Sequence, residues 1–217
     1  MTDFTLWDIA RNLLLAGRWT LLLSAIAFAG GGFFGLVLLL IRIGTGKWLR
    51  RAVSLYVELF QSTPLLMQLF MVYFGLPRLG IDVSAWLAAA VCLTLYSSAF
   101  LTDIWRGAVE AIPRGQWDGS ASLGLHYLAQ LRLVILPQAT RMAIPPTVGF
   151  LVQLVKSTAL ASIVGFHELT RTAQILTNAT FQPFVIYGMV ALIYFTICYP
   201  LTELSRRLER QLMTSAR

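Results

Sequence analysis

Apolar residues form long runs with almost no charge along this chain. Five of these runs approach the roughly 20 residues that an α-helix needs to cross a bilayer. They span residues 19–41, 59–77, 83–102, 142–166 and 183–202. Strands of a membrane barrel would be shorter and would alternate polar with apolar residues. The pattern therefore predicts an all-α integral membrane protein with five transmembrane helices, folded as one domain over residues 1–217.

Composition agrees with this class of protein. Hydrophobic residues make up 57% of the chain and charged residues 12%, whereas soluble domains hold roughly 45–50% apolar and about 25% charged residues. The mean hydropathy of +0.71 points the same way. Composition therefore disfavours an ordinary soluble fold.

The distribution of charge predicts an orientation. The net charge of +7 would suit nucleic acid, but lysine and arginine also concentrate in the short cytoplasmic loops of membrane proteins. With the amino terminus outside, only Arg11, Arg18, Arg78 and Arg171 lie on the outer side, while twelve basic residues lie on the cytoplasmic side. We therefore expect an outer amino terminus, a cytoplasmic carboxyl terminus and no nucleic-acid partner. The inner basic groups suit the anionic headgroups of a lipid bilayer.

This orientation makes the segment at residues 103–141 long and cytoplasmic. Pro113 interrupts the helix that precedes it. A short amphipathic helix then ends at Gly124, where a left-handed turn costs glycine nothing. A second helix is predicted over residues 127–136, with Pro137 closing it. The segment therefore presents two short helices on the inner side of the membrane.

The same segment resembles the EAA loop of ABC-importer permeases. That loop has the pattern Glu-Ala-Ala, three residues, Gly, nine residues, Ile, one residue, Leu-Pro. The residues at the matching positions are Asp118, Gly119, Ser120, Gly124, Val134, Leu136 and Pro137. Asp-Gly-Ser in place of Glu-Ala-Ala keeps the acid and the small residues, although glycine weakens a helix by roughly 1 kcal/mol relative to alanine.

Further stretches resemble the polar amino acid importers of that family, and together they cover nearly the whole chain. They lie at residues 56–77, 104–107, 111–116, 136–139, 156–162 and 168–174. The chain departs from the family at Gln61 and Ser62, where such permeases usually carry Arg-Gly. It also departs at Ser157, where Asp or Asn is common. The resemblance therefore implies amino acid transport without indicating which amino acid is carried.

The resemblance implies the type I fold of ABC-importer permeases and a subunit that lines a pathway without catalysing a reaction. Its loop would present a coupling helix to an ATP-binding subunit through Gln116, Asp118, Gly119, Ser120, Ala121, Gly124 and Pro137. The implied partners are a dimer of ATP-binding cassette subunits, which bind ATP and Mg, a periplasmic amino acid-binding protein, and a second permease chain, identical or paralogous. The implied location is the bacterial inner membrane. A non-transporting scaffold that anchors an ATPase is the alternative.

One charge, Lys156, lies inside the fourth span, about 15 Å from its outer end at a rise of about 1.5 Å per residue. A charge in hydrocarbon costs about 2.5–3.5 kcal/mol on insertion scales, so it normally faces a cavity or a partner. Neighbouring hydroxyl and amide groups complete a candidate site for a carboxylate and a zwitterionic backbone; they belong to Gln153, Ser157, Thr158 and Ser162.

The alternative for Lys156 is neutralisation by an acid of the same chain, with a role in packing or gating. Glu58 and Asp103 are the candidates, and both are included in the candidate pathway. They lie near the inner ends of spans two and three, where snorkelling to the interface is the expected behaviour.

Pro64 interrupts the second span and predicts a kink or an unwound turn at residues 62–64. Broken helices expose backbone groups to substrate in many transporters, so Thr63 joins the candidate pathway. A kink that serves packing alone is an equal alternative. In the first span, Gly31 and Gly35 form a GxxxG pattern that is typical of close contact between helices.

Residues for chemistry or metal binding are sparse. The histidines, His126 and His167, and the cysteines, Cys92 and Cys198, lack the spacing of metal ligands. The sequence also lacks a nucleotide-binding or hydrolase motif. We therefore expect no cofactor, no metal and no catalysis within this chain.

Overall fold

The computed structural model describes residues 5–44 and 46–215, and every regular element within them is a helix. Numbered along the chain, the helices are α1 (Leu6–Gly44), α2 (Lys47–Ser62), α3 (Leu65–Arg78), α4 (Ala85–Glu110), α5 (Arg114–Ser122), α6 (Tyr127–Ser162), α7 (Leu169–Thr180) and α8 (Pro183–Ser215). The all-α prediction is confirmed. The predicted domain also includes residues 1–4, 45, 216 and 217, which lie outside the described part.

Within the described part, α1, α4, α6 and α8 are each long and apolar enough to cross a bilayer. Helices α2 and α3 meet this criterion only together, as a pair bent by 104°. Pro64 lies between them and lacks the amide hydrogen that a continuous helix would use. The predicted break at residues 62–64 is confirmed, and the second of the five predicted spans is a broken one.

The first helix begins at Leu6 rather than at residue 19. Arg11 and Arg18 interrupt the apolar run, but both lie on the exposed side of the helix. Ile9 and Leu13 are buried on the other side, against α7 and α8. The helix extends because its apolar residues keep helical spacing even where charges interrupt their run.

Helix α4 continues past the predicted end at residue 102 and reaches Glu110. The guanidinium of Arg106 pairs with Asp103 at 2.8 Å and with Glu110 at 2.6 Å. Such pairs, three and four residues apart, support an exposed helical turn. The connection between α4 and α6 is therefore much shorter than residues 103–141.

Helix α6 corrects two expectations about its ends. The predicted separate helix at residues 127–136 is wrong, because the chain continues as one helix to Ser162. A π-helical turn at Leu131–Ile135 ends two residues before Pro137, and its wider winding lies where the proline lacks an α-helical bond. At the other end, α6 stops before the predicted residue 166, because Gly165 adopts a φ of 88°, a left-handed conformation that suits glycine.

The glycine pattern of α1 lies against α4. A Cβ atom added to Gly31 would lie 2.3 Å from Cβ of Ser97, and one added to Gly35 would lie 3.1 Å from the carbonyl oxygen of Ser98. The Thr102 hydroxyl donates to the Gly35 carbonyl oxygen at 3.1 Å. The GxxxG pattern therefore permits a close crossing of these two spans.

Two short helices, α5 and α7, lie at opposite ends of the bundle. Helix α5 follows the end of α4, and the buried cluster of Ile112, Leu131, Ile135 and Ala139 lies beside it. Helix α7 follows the end of α6 and packs against α1 and α8. We call these ends the α5 end and the α7 end.

Candidate functional site

The break between α2 and α3 is held by one side chain that the sequence analysis missed. Nε2 of Gln68 donates to the carbonyl oxygens of Phe60 and Thr63 at 2.9 and 3.0 Å, and to Oγ1 of Thr63 at 2.8 Å. The Thr63 hydroxyl donates to the Leu59 carbonyl oxygen at 2.7 Å. These bonds satisfy carbonyl groups that the break would leave unpaired. A glutamine one turn beyond Pro64 was the available signal.

Lys156 lies one helical turn beyond Gln153 on α6, because residues three apart are neighbours on a helix surface, and Ser157 follows it directly in the chain. Lys156 and Gln153 are exposed and Ser157 is half-buried. Nε2 of Gln153 donates to the Tyr96 hydroxyl at 3.2 Å, and the Ser157 hydroxyl donates to the Gln153 carbonyl oxygen at 3.0 Å. The helix ends at Ser162, so Lys156 lies about 9 Å from that end, closer than expected.

Thr158 and Ser162 occupy the interior of the chain instead. Their exposed fractions are 0% and 2%. The Thr158 hydroxyl donates to the Val155 carbonyl oxygen at 2.7 Å, and the Ser162 hydroxyl donates to the Ala159 carbonyl oxygen at 2.6 Å. The structure therefore divides the predicted set into an exposed group around Lys156 and two buried hydroxyls.

The two acids named as partners of Lys156 lie elsewhere. Asp103 pairs with Arg106 on its own helix. Glu58 is exposed on α2. Among the described residues, Lys156 forms no ion pair. No acid of the described part of the chain therefore occupies its ammonium, which is open to a group from outside.

Helix α2 carries a polar stripe next to an apolar one. Val53 and Val57 are buried. Polar and charged residues at helical spacing line a groove of about 770 Å³ along the exposed side; they are Lys47, Arg50, Arg51, Ser54 and Glu58. Trp48 and Leu55 line the same groove and are 83% and 66% exposed. A polar stripe on a membrane-spanning segment requires water or a partner beside it.

At the α7 end, Glu168 is the only acidic or basic side chain that is buried among the described residues, with an exposed fraction of 0%. Its Oε2 accepts hydrogen bonds from the hydroxyls of Thr20 and Tyr194, both at 3.3 Å. Its Oε1 accepts from the backbone amide of Arg171 at 2.9 Å. One carboxylate therefore joins α1, α7 and α8.

Burial raises the pKa of the Glu168 carboxyl, and the hydrogen bonds from the Thr170 and Arg171 amides and from Thr20 and Tyr194 offset part of this effect. Glu168 also stands at the amino-terminal cap of α7, where an acid interacts favourably with the helix dipole. In the sequence, Glu168 stands out only as part of a stretch that resembles the family. Its position just before an amphipathic segment was the signal for a cap.

At the α5 end, the predicted coupling residues lie on a short, mostly exposed helix. Gln116, Asp118, Gly119, Ala121 and Gly124 are exposed, as is Pro137 on α6. Ser120 is 4% exposed and faces inward. Gly124 has a φ of 75° and follows the last turn, so the predicted glycine stop of α5 is confirmed.

One side of α5 is anchored to the bundle. The rings of Trp117 and Tyr127 stack with centroids 6.0 Å apart. Nε2 of Gln138 on α6 donates to Oε1 of Gln116 at 3.2 Å. A Cβ atom added to Gly119 would meet nothing within 4 Å. Helix α5 is thus fixed on its inner side and open on the other.

Comparison with known proteins gives one consistent group. A family model described as "Binding-protein-dependent transport system inner membrane component" matches residues 31–213. The probable amino-acid ABC transporter permease protein YckA of Bacillus subtilis (strain 168) is 37% identical over 180 residues, which cover 83% of this chain and 80% of that protein. The arginine ABC transporter permease protein ArtM of Haemophilus influenzae is 34% identical over 207 residues, covering 91% of each chain.

A solved structure shares the fold. The chain superposes on the crystal structure of an amino acid ABC transporter with histidines with a TM-score of 0.90 and 31% sequence identity. The match covers 97% of this chain and 100% of that one. The similarity therefore includes both ends of the bundle.

Proposed function

Because the chain belongs to the family of binding-protein-dependent transport system inner membrane components, we propose that it forms the membrane pathway of an ATP-driven importer of amino acids. The predicted type I permease fold is confirmed by the match to a solved amino acid ABC transporter. The chain is a non-catalytic membrane subunit. The observation that carries the proposal is α5, a helix with the spacing of a coupling motif that is anchored on one side and exposed on the other.

The proposed orientation places the α5 end in the cytoplasm and the α7 end outside, in a bacterial inner membrane. A dimer of ATP-binding subunits, which hold ATP and Mg, binds α5. A periplasmic amino acid-binding protein docks at the α7 end. A second permease chain, identical or paralogous, completes the pathway. The charge asymmetry along the chain supports this orientation, because basic residues favour the cytoplasmic side.

Energy enters through the cluster that holds α5. Ile112, Leu131, Ile135 and Ala139 are buried together where α5 meets α4 and α6. A close-packed contact of this kind transmits displacement, because protein interiors have low compressibility. Closure of the ATPase dimer therefore moves α5 together with the spans on either side of it. Lys156 travels on α6 and changes its access from one side of the membrane to the other.

The pathway residue proposed to bind the amino acid is Lys156. Its ammonium is exposed and forms no ion pair within the described chain. Gln153, one helical turn before it, supplies a polar group beside it, and Ser157 is the next residue along the helix. An ammonium pairs with the carboxylate that all amino acids share, so Lys156 would contribute to transport of each substrate.

The test measures ATP-driven uptake of labelled amino acids by the complete transporter in proteoliposomes, in the presence of its binding protein. Lys156→Met should abolish uptake of basic, acidic and amide amino acids alike, while the complex still assembles and hydrolyses ATP. Lys156→Arg, which keeps the charge, should retain part of the uptake. Intact uptake by Lys156→Met would refute the substrate role. A wild-type complex that hydrolyses ATP and moves none of these amino acids would favour the scaffold alternative.

A further inference from the structure

A cleft of about 430 Å³ opens at the α5 end and is lined by four arginines. They come from four different helices and are Arg42, Arg50, Arg106 and Arg114. Among the described residues that line the cleft, Glu110 is the only acid, and together with Asp103 it pairs with Arg106. The cleft therefore concentrates positive charge from α1, α2, α4 and α5 in one place.

Within the described part of the chain, three of these guanidinium groups form no direct salt bridge, although Asp103 and Glu110 lie close enough to Arg42 to interact with it electrostatically. Among the described residues, Arg42, Arg50 and Arg114 form no ion pair with an acid. Convergent cations without a partner repel one another, so an anion in the cleft would relieve that repulsion. Arginine presents a planar fork of donors that matches a phosphate group. The chemistry of the cleft is therefore that of a phosphate site.

An apolar groove of about 200 Å³ adjoins the cleft, and Val109 lines both. Helices α1, α4 and α6 form the groove through Leu36, Leu39, Trp105, Leu136 and Ala139. A soluble phosphate ion would make no favourable contact with an apolar groove. An acyl chain of the surrounding lipid can pack against it, because apolar groups inside a bilayer associate through van der Waals contact.

Polarity changes in the same direction along both long helices. On α1, Leu36 and Leu39 line the apolar groove, and Arg42 lines the cleft about 4.5 Å beyond Leu39 towards the helix end. On α4, Trp105 lines the groove and Glu110 lines the cleft. Charge thus lies at the ends of the spans and apolar surface lies deeper, as in a phospholipid of the bilayer.

We propose that Arg42, Arg50 and Arg114 bind the phosphate of an anionic phospholipid whose acyl chain lies in the groove between α1, α4 and α6. Basic pockets between transmembrane helices are suited to such headgroups. The site is separate from the candidate coupling surface, since Arg114 and Trp117 line the cleft from α5 whereas Asp118 and Gly119 do not. The lipid would hold α5 against the spans.

The test measures retained lipid on the purified transporter complex by native mass spectrometry, after equilibration with phosphatidylcholine and phosphatidylglycerol. The wild-type complex should retain phosphatidylglycerol in preference to phosphatidylcholine. The double variant Arg42→Gln/Arg50→Gln should weaken this binding by about tenfold or more. The matched control Arg51→Gln/Arg141→Gln removes the same charge from exposed positions outside the cleft and should retain the lipid.

A third variant separates a lipid from a soluble anion. Thr140 is exposed and lines the apolar groove, so Thr140→Trp should fill the groove and lower phosphatidylglycerol retention with all arginines in place. Equal lipid loss in both double variants would overturn the proposal, because it would indicate general charge attraction. Unchanged retention in Thr140→Trp, with displacement of the lipid by inorganic phosphate alone, would assign the cleft to a soluble anion. Lipid retention does not depend on transport, so the result of this test is independent of the proposed function.

Discussion

The two ends of the bundle differ in the burial and pairing of their charged groups. At the α7 end, Glu168 is fully buried, and its hydrogen bonds all come from this chain. At the α5 end, three arginines form no salt bridge among the described residues, and Asp118 and its neighbours are exposed. At the α7 end the chain itself satisfies the buried Glu168 carboxylate, although Nε of Arg171 and Oγ1 of Thr177 are buried without a hydrogen-bond partner in the described part of the chain. The α5 end leaves exposed charged groups for molecules that bind there.

This difference has a physical cause. A buried carboxylate without a cation must be hydrogen-bonded, since an unpaired buried charge is costly. The Glu168 cluster therefore fixes the relative positions of α1, α7 and α8. Exposed charges at the α5 end have little desolvation cost. They therefore need no partner within the chain and can pair with molecules that bind there.

The largest effect is expected for Gly119→Trp at the α5 end. An added Cβ at Gly119 meets nothing within 4 Å, so the chain should fold normally while the ring obstructs the ATPase. ATP-driven uptake should fall to background with unchanged amounts of permease in the membrane. Gly119→Ala is the matched control and should keep uptake, since alanine favours the helix by roughly 1 kcal/mol. Normal uptake by Gly119→Trp would show that α5 is not the contact.

The next effect contrasts the same change at both ends. Glu168→Ala removes an acceptor from three donors and should destabilise the complex by about 2 kcal/mol. Asp118→Ala should stay within about 0.5 kcal/mol, as is usual for exposed positions. Thermal unfolding of the detergent-purified complex measures both. Equal losses would remove the proposed difference between the two ends.

A smaller effect concerns pH. The pKa of Glu168 is raised above its ordinary value of 4.5 by burial, so the folded state favours the protonated form. The free energy of unfolding at the α7 end should therefore increase as the pH falls through the raised pKa towards 4.5. This extra stability should disappear when the pH is raised above that pKa. The groups that face the carboxyl are Thr20 from α1, Tyr194 from α8 and the backbone amides of α7.

The control for this pH effect is Glu168→Gln, which keeps the shape without the titration. Hydrogen exchange of the α7 amides measures this at acid and neutral pH. Relative to the intrinsic exchange rate at each pH, protection of these amides should change with pH in the wild type and not in the variant. The same slope in both proteins would mean that another group is responsible.

The smallest effect is expected for Gly124→Ala. Gly124 adopts a φ of 75°, which costs a residue with a side chain roughly 1 kcal/mol. The last turn of α5 should fray and its amides should exchange faster, with little change at the α7 end. Unchanged exchange in α5 would show that the glycine stop contributes nothing to that helix.

Local signals predicted the parts of the fold that depend on neighbouring residues. Pro64 predicted the helix break and Gly124 predicted the end of α5, because each residue restricts its own backbone. The continuity of α6 through Pro137 was missed, since a π-helical turn compensates for the proline. The extension of α1 to Leu6 was missed as well, because its support comes from α7 and α8.

The candidate site shows the same limit. Lys156 stood out in the sequence because a charge is rare in an apolar run. The burial of Thr158 and Ser162 depends on which face of α6 meets other helices, and sequence position alone does not fix that face. Glu168 acquires its environment from Thr20 and Tyr194, which lie 148 and 26 residues away. Contacts between distant segments are therefore what the structure adds.

The most direct test of the account is photo-crosslinking in the assembled transporter from one exposed position at each end, Gly119 on α5 and Asn178 on α7. The account predicts an adduct with the ATP-binding subunit from position 119 and with the amino acid-binding protein from position 178. An ATP-binding subunit captured from position 178, with none captured from position 119, would contradict it.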